Sequence, residues 1–146
     1  MFNSYKNIDK NPIEKMFSES TINQKMSALN LLFTIALSDA EYGDSEKKIN
    51  YLNSYVRPLG LNASKSQDYL KEYGHDRMIT DLNLLSQTQK EFLVAASYEL
   101  MICDGRPNQD ALKVTLMFFK LIGIDDLKYK SVVENGYALL KHYFNK

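Results

Sequence analysis

The sequence predicts an all-α fold: a compact bundle of about seven or eight helices built around two helix-turn-helix pseudo-repeats. Three observations carry this. Apolar residues recur at steps of three and four through most of the chain, with no convincing alternating strand. Only three prolines and six glycines interrupt 146 residues, which favours long helices. Two stretches also share one pattern, an apolar helix, an Asp, a polar turn, a second helix and a Gly-plus-aliphatic stop.

The leader "MFNSYKNIDKNPIEKMF" carries one short helix around Pro12 to Phe17. The first long helix runs from Thr21 to Asp39, with Ile22, Met26, Leu29, Leu32, Phe33, Ala36 and Leu37 on its apolar face. A second runs from about Asp44 to Arg57, with Ile49, Leu52, Tyr55 and Val56 inward. Pro58 stops it, because the residue before a proline is biased away from helix. Gly60 suits the left-handed turn beyond a helix end. Two short helices follow between Ser64 and Leu85, the first closed by Gly74. Ser86 and Gln89 form a capping box that opens the long helix "SQTQKEFLVAASYELMICD". "NQDALKVTLMFFKLIGID" comes next, and a last helix closes the chain. Two units, roughly Thr21 to Leu61 and Ser86 to Ile124, bury their faces against each other. Asp39 aligns with Asp104, and Gly60-Leu61-Asn62 with Gly123-Ile124-Asp125. No linker divides the chain, so 1–146 reads as a single domain with its core at about 21–125 and its C-terminal helix at 126–145.

The first polar turn holds four carboxylates in eight residues: Asp39, Glu41, Asp44 and Glu46. The second holds Asp104 and Asp110, with Arg106 between them. Hard cations take six to eight oxygen ligands, and clustered carboxylates repel until a cation joins them. The spacing is not that of an EF-hand. Capping explains the same acids more simply. With Gly43 as N-cap, Glu46 is the third helical position, and acids in a first turn favour the helix dipole. Asn108 is a good N-cap for the second copy, where Asp110 lies in the first turn. Both readings stand on the residues alone.

The pattern of apolar helix, Ala-Asp-Gly, Glu several residues on, apolar helix and Leu-Gly resembles the TerB-like domain. "IALSDAEYGDSEKKINYLNSYVRPLGL" is similar to a first copy and "LMICDGRPNQDALKVTLMFFKLIGI" to a second. The likeness covers roughly Thr21 to Asp125. That family is named for a bacterial tellurite-resistance protein, and related domains accompany J-domains in some co-chaperones. The resemblance implies a non-catalytic stress-response module that binds a divalent cation (calcium, magnesium or manganese) at its acidic turns and docks a protein partner. The alternative is a metal-free protein-interaction or scaffold module whose acids are helix caps. Ala40 stands where the motif has glycine, and Ala111 where it has Glu. The first turn is therefore the better cation candidate.

Lys plus Arg number 18 and Asp plus Glu number 18, so no basic footprint points to nucleic acid. The sequence carries no glycine-rich phosphate loop, H-E-x-x-H or nucleophile elbow, and an enzyme is not expected. Cys103 is the single cysteine, which excludes an internal disulfide and fits a reducing, cytoplasmic setting. It ends an apolar helix and reads as a buried thiol. His75 and His142 have no ligand-spaced neighbours. No apolar run approaches the roughly 20 residues of a membrane span. The last helix sets Lys128, Lys130 and Lys141 beside Leu127, Val132, Val133 and Tyr137. It packs its apolar stripe on the domain; contact with an anionic membrane surface is the less favoured use.

Overall fold

A computed structural model describes residues 13–38, 45–102 and 109–144, with the backbone alone at 45, 55, 57 and 136–144. Seven helices form among the described residues and no strand. A single helical turn, α1, spans 13–16. It is followed by α2 (Ile22–Ser38), α3 (Ser45–Leu59), α4 (Ala63–Asn83), α5 (Gln87–Ile102), α6 (Gln109–Leu121) and α7 (Asp126–Phe144).

Hydrogen bonds between near neighbours set these boundaries, and they do so twice. Thr21 Oγ1 accepts the N–H of Gln24 at 3.1 Å, while the Thr21 N–H donates to Gln24 Oε1 at 3.0 Å. Ser86 and Gln89 make the same reciprocal pair at 3.1 and 2.8 Å, so α2 and α5 both start from capping boxes. The second helix of each unit ends alike as well. Leu61 N–H donates to Val56 O at 3.1 Å, and Ile124 N–H to Phe119 O at 2.8 Å, across the left-handed glycines Gly60 and Gly123. These six-to-one bonds are Schellman motifs, which need a residue at positive φ. The next residue then caps the third helix. Asn62 Oδ1 accepts the N–H of Lys65 at 3.2 Å, and Asp125 Oδ1 that of Lys128 at 2.8 Å.

The duplication therefore extends one helix beyond the two-helix units expected: α2-α3-α4 is matched by α5-α6-α7. Packing follows the same rule, since α4 lies on α2 and α7 on α5. A buried polar contact pins each pair. Asn30 Nδ2 donates to the Ser66 carbonyl at 2.9 Å between α2 and α4, and Ser97 Oγ lies 2.9 Å from the Tyr129 hydroxyl between α5 and α7. The units interlock because α2 also meets α6 while α5 also meets α3. As a result the middles of both first helices are enclosed on every side. All residues of 27–32 and of 92–97 are buried. The leader joins this core through Ile13 and Phe17, the Phe17 ring packing edge-on against Phe92 at 6.0 Å. Gln89 Nε2 holds it there by donating to the Met16 carbonyl and Ser20 Oγ.

Several facings differ from the single stripes expected. Ile22 and Leu37, at the two ends of α2, project beyond its neighbours and are exposed. In α3 the inward line is Lys48, Leu52 and Leu59, and Ile49, expected inside, is 47% exposed. Pro58 does not stop α3, which runs one residue past it. A proline in a final turn removes only one intrahelical bond, and the Schellman bond of Leu61 closes the end. In α7 the packed residues are Tyr129 and Val132, whereas Leu127 faces outward at 81% exposure.

The break expected at Gly74 is a kink inside α4, where Gly74 has φ 78 and ψ 178. One carboxylate spans it. Asp81 Oδ2 accepts hydrogen bonds from the Tyr69 hydroxyl and from Ser27 Oγ, both at 2.7 Å. The two halves of α4 are thereby tied to each other and to α2. Burial pushes the Tyr69 hydroxyl above its ordinary pKa, and Asp81 adds to that while Arg77 opposes it.

Tyr129 gives a pH prediction. Tyr129 is 4% exposed and its ring packs beside that of Phe119 at 5.4 Å, and burial drives the hydroxyl pKa far above the tyrosine range. The unfolded chain's tyrosine releases its proton near pH ~10 while the folded one keeps it. Stability from this group is thus full below about pH 10 and is lost as pH rises further. Tyr129→Phe is expected to flatten the alkaline fall in the urea midpoint, at a neutral-pH cost of about 1 kcal/mol for the lost hydrogen bond. An alkaline slope equal in wild type and variant would contradict this.

Candidate functional site

Four helix ends meet at one end of the bundle. Helix α2 finishes at Ser38, whose Oγ donates to the Ile35 carbonyl at 2.7 Å, and α3 begins at Ser45. On the other unit, α5 finishes at Ile102 and α6 begins at Gln109. Thr115 Oγ1 bonds the Ala111 carbonyl at 2.7 Å and approaches Met101 Sδ at 3.6 Å, which fastens α6 to the end of α5.

The units are joined at this end by Lys48. It is 1% exposed, and its Nζ donates to the Leu100 carbonyl at 3.2 Å. The ammonium thus reaches from the first turn of α3 into the last turn of α5. A helix C-terminus is the negative end of its dipole, so a cation is favoured there. The aliphatic stem covers apolar surface on the way. Because of this contact, the ends flanking 39–44 lie beside the α5 end that leads into 103–108.

Of the six carboxylates expected at a metal site, Glu46 and Asp110 are described. Glu46 is exposed in the first turn of α3, and Asp110 is exposed in the first turn of α6. Each makes an interaction of its own there. First-turn acids gain about 0.3–1 kcal/mol from the helix dipole. Asp39, Glu41, Asp44 and Asp104 lie outside the described residues, as do Cys103, Arg106 and Asn108. Among the described residues no group of three or more His, Cys, Asp or Glu side chains gathers in a metal-holding arrangement. His75 is exposed and stacks its ring near Phe118 at 5.7 Å. Glu99 is half-buried and engaged.

Lys48 is the residue that reading by apolar stripes overlooks. The signal was present: Lys48, Leu52 and Leu59 fall at steps of four and seven, a helical line in its own right. A lysine on that line looks like a solvated neighbour of Ile49 until the opposing carbonyl is known.

The chain matches no protein-family model, no curated protein and no solved structure. What the site can do chemically therefore rests on its own residues. By sequence, segments 39–48 and 104–110 hold six acids to three bases, Lys47, Lys48 and Arg106. Such an excess of anionic oxygen suits a hard cation or a cationic group of another protein. Among the described residues no helix is long and apolar enough to cross a membrane.

Proposed function

We propose that this chain is a non-catalytic, TerB-like module of the bacterial cytoplasm. It holds a divalent cation at its acid-rich end and docks a protein partner in a stress response such as that to tellurite. The observation that carries the cation reading is the Lys48–Leu100 hydrogen bond. By setting the start of α3 against the end of α5, it brings the flanks of both acidic turns to a common end. The described acids of the two flanks, Glu46 and Asp110, lie in the first turns of α3 and α6, and a six- to eight-coordinate ion would draw its remaining oxygens from segments 39–44 and 103–108.

A second reading has its own support. Lys48 is a resident buried cation at that end, and Glu46 and Asp110 occupy first-turn positions that capping alone explains. On this reading the module binds its partner without metal.

Thermal melts with calcium, magnesium, manganese or chelator separate the two. A cation present at about 100 times its dissociation constant stabilises the native state by about 2.7 kcal/mol. Asp39→Asn combined with Glu46→Gln is expected to abolish that rise, because amides keep size but lose charge. Asp110→Asn is expected to matter less, since Arg106 already offsets its turn. If the metal-free reading holds, the double variant instead loses about 0.5–2 kcal/mol per cap, equally with and without cation. A wild type that shows neither heat nor a melting shift with any of these ions at millimolar levels ends the cation reading.

A further inference from the structure

Helix α6 carries a feature that neither the acidic end nor the core uses. An open cleft of about 360 Å³ runs along it, lined by Lys113, Leu116, Met117, Lys120 and Leu121, with Asp126 from the start of α7. Met117 and Leu121 stand one turn apart and are 52% and 54% exposed. Leu116 is half-buried behind them. Lys113 and Lys120 bracket this apolar strip seven residues apart, two helical turns or about 10.5 Å along the axis.

We propose that this cleft docks an acidic amphipathic helix of a partner protein. The inference deepens the reading of the chain as a docking module and rests on it. The wall of the cleft is a helix, whose backbone groups are spent internally. It offers no ladder for an added strand, and no strand edge exists among the described residues. A second helix is the occupant that matches, laying residues at steps of three and four against the Met117–Leu121 ridge. Methionine adapts its shape to such a partner.

Charge selects the sign. The rims are two lysines, and the single acid pairs with Lys120 at 3.9 Å while both side chains are more than half exposed. An exposed pair of that length is weak and exchanges readily for a partner's carboxylate. Acids seven residues apart on the incoming helix would meet Lys113 and Lys120 together. A second copy of α6 is the wrong occupant, because a two-fold pairing of this face would set lysine against lysine.

The probe is a fluorescein-labelled synthetic helix with leucines at steps of three and four and glutamates seven residues apart, read by anisotropy against the full chain. Its control replaces each glutamate with lysine. The acidic peptide is expected to bind in the micromolar range that a cleft this small supports, and the basic control about tenfold or more weaker. Lys113→Glu with Lys120→Glu should reverse that preference, and Met117→Ser should weaken the acidic peptide about tenfold while circular dichroism stays unchanged. Absence of saturable binding overturns the proposal, as does affinity indifferent to the two lysines. Lysine-dependent self-association in sedimentation, or lysine-dependent partition onto vesicles of anionic phospholipid, also overturns it by naming another occupant. The cation melts report independently. A chain that responds to cation but not to peptide loses only this cleft, and one that binds peptide but ignores cation loses only the metal.

Discussion

Lys48→Ala is expected to be among the most destabilising single changes in this protein, at about 2–4 kcal/mol. Hydrogen bonds from a charged donor contribute about 1.5–3 kcal/mol, and truncation also strips the buried stem from between α3 and α5. Lys48→Met separates these parts. It keeps most of the stem and removes only the ammonium, so its loss measures the polar contacts of that group together, the Leu100 carbonyl among them. Urea denaturation of the three proteins checks the order wild type, Met, Ala. The contact also joins the two units where α3 begins and α5 ends. Hydrogen exchange should therefore quicken first in the opening turns of α3 and the closing turn of α5. Stability unchanged in both variants would mean that the ammonium carries no net stabilisation there.

Asp81→Ala is expected to cost about 3 kcal/mol. Asp81 Oδ2 accepts two hydroxyl hydrogen bonds at 2.7 Å, and hydrogen bonds to a charged acceptor are the strong class. Ser27 is fully buried, so removing its acceptor leaves a hydroxyl with desolvation unrepaid. For a chain of this size about 3 kcal/mol lowers the melting temperature by about 6–12 °C. Asp81→Asn keeps an oxygen of similar placement and should lose about half as much. A double-mutant cycle with Tyr69→Phe isolates the bond that spans the Gly74 kink. If Asp81→Ala melts within a degree of wild type, the carboxylate is not the tie across that kink.

What the sequence made legible was whatever is settled within four or five residues. The Ser86–Gln89 box, the Gly60 and Gly123 stops and the break at Gly74 all depend on bonds between near neighbours, and all are present. The matching box at Thr21 and Gln24 was equally readable, at the same 65-residue offset that relates Asp39 to Asp104, and it passes unnoticed beside the stronger apolar pattern. Facing was less legible. Whether Ile49 or Lys48 turns inward depends on a carbonyl contributed by α5, 52 residues away in the chain. Leu127 and Ile22 belong to apolar stripes by spacing and lie outside the core because no neighbour reaches them. Stripe reading assumes one buried face. The middles of α2 and α5 have none, being enclosed all round. The candidate site was legible as composition, six acids in two turns. That their flanks share an end could only come from the packing of one unit on the other.

The interlocking of the two units has a consequence during synthesis. Helix α2 needs α5 and α6 as well as α3 and α4 to cover it, and α6 leaves the ribosome about 80 residues later, roughly 4–16 s at bacterial to eukaryotic elongation rates. For that interval the nascent first half carries Leu29, Leu31, Leu32 and Ile35 on a helix with one flank still wet. The growing chain should be most open to chaperone capture and to nascent-chain aggregation in that window. Slowing translation between α4 and α6 should lengthen it.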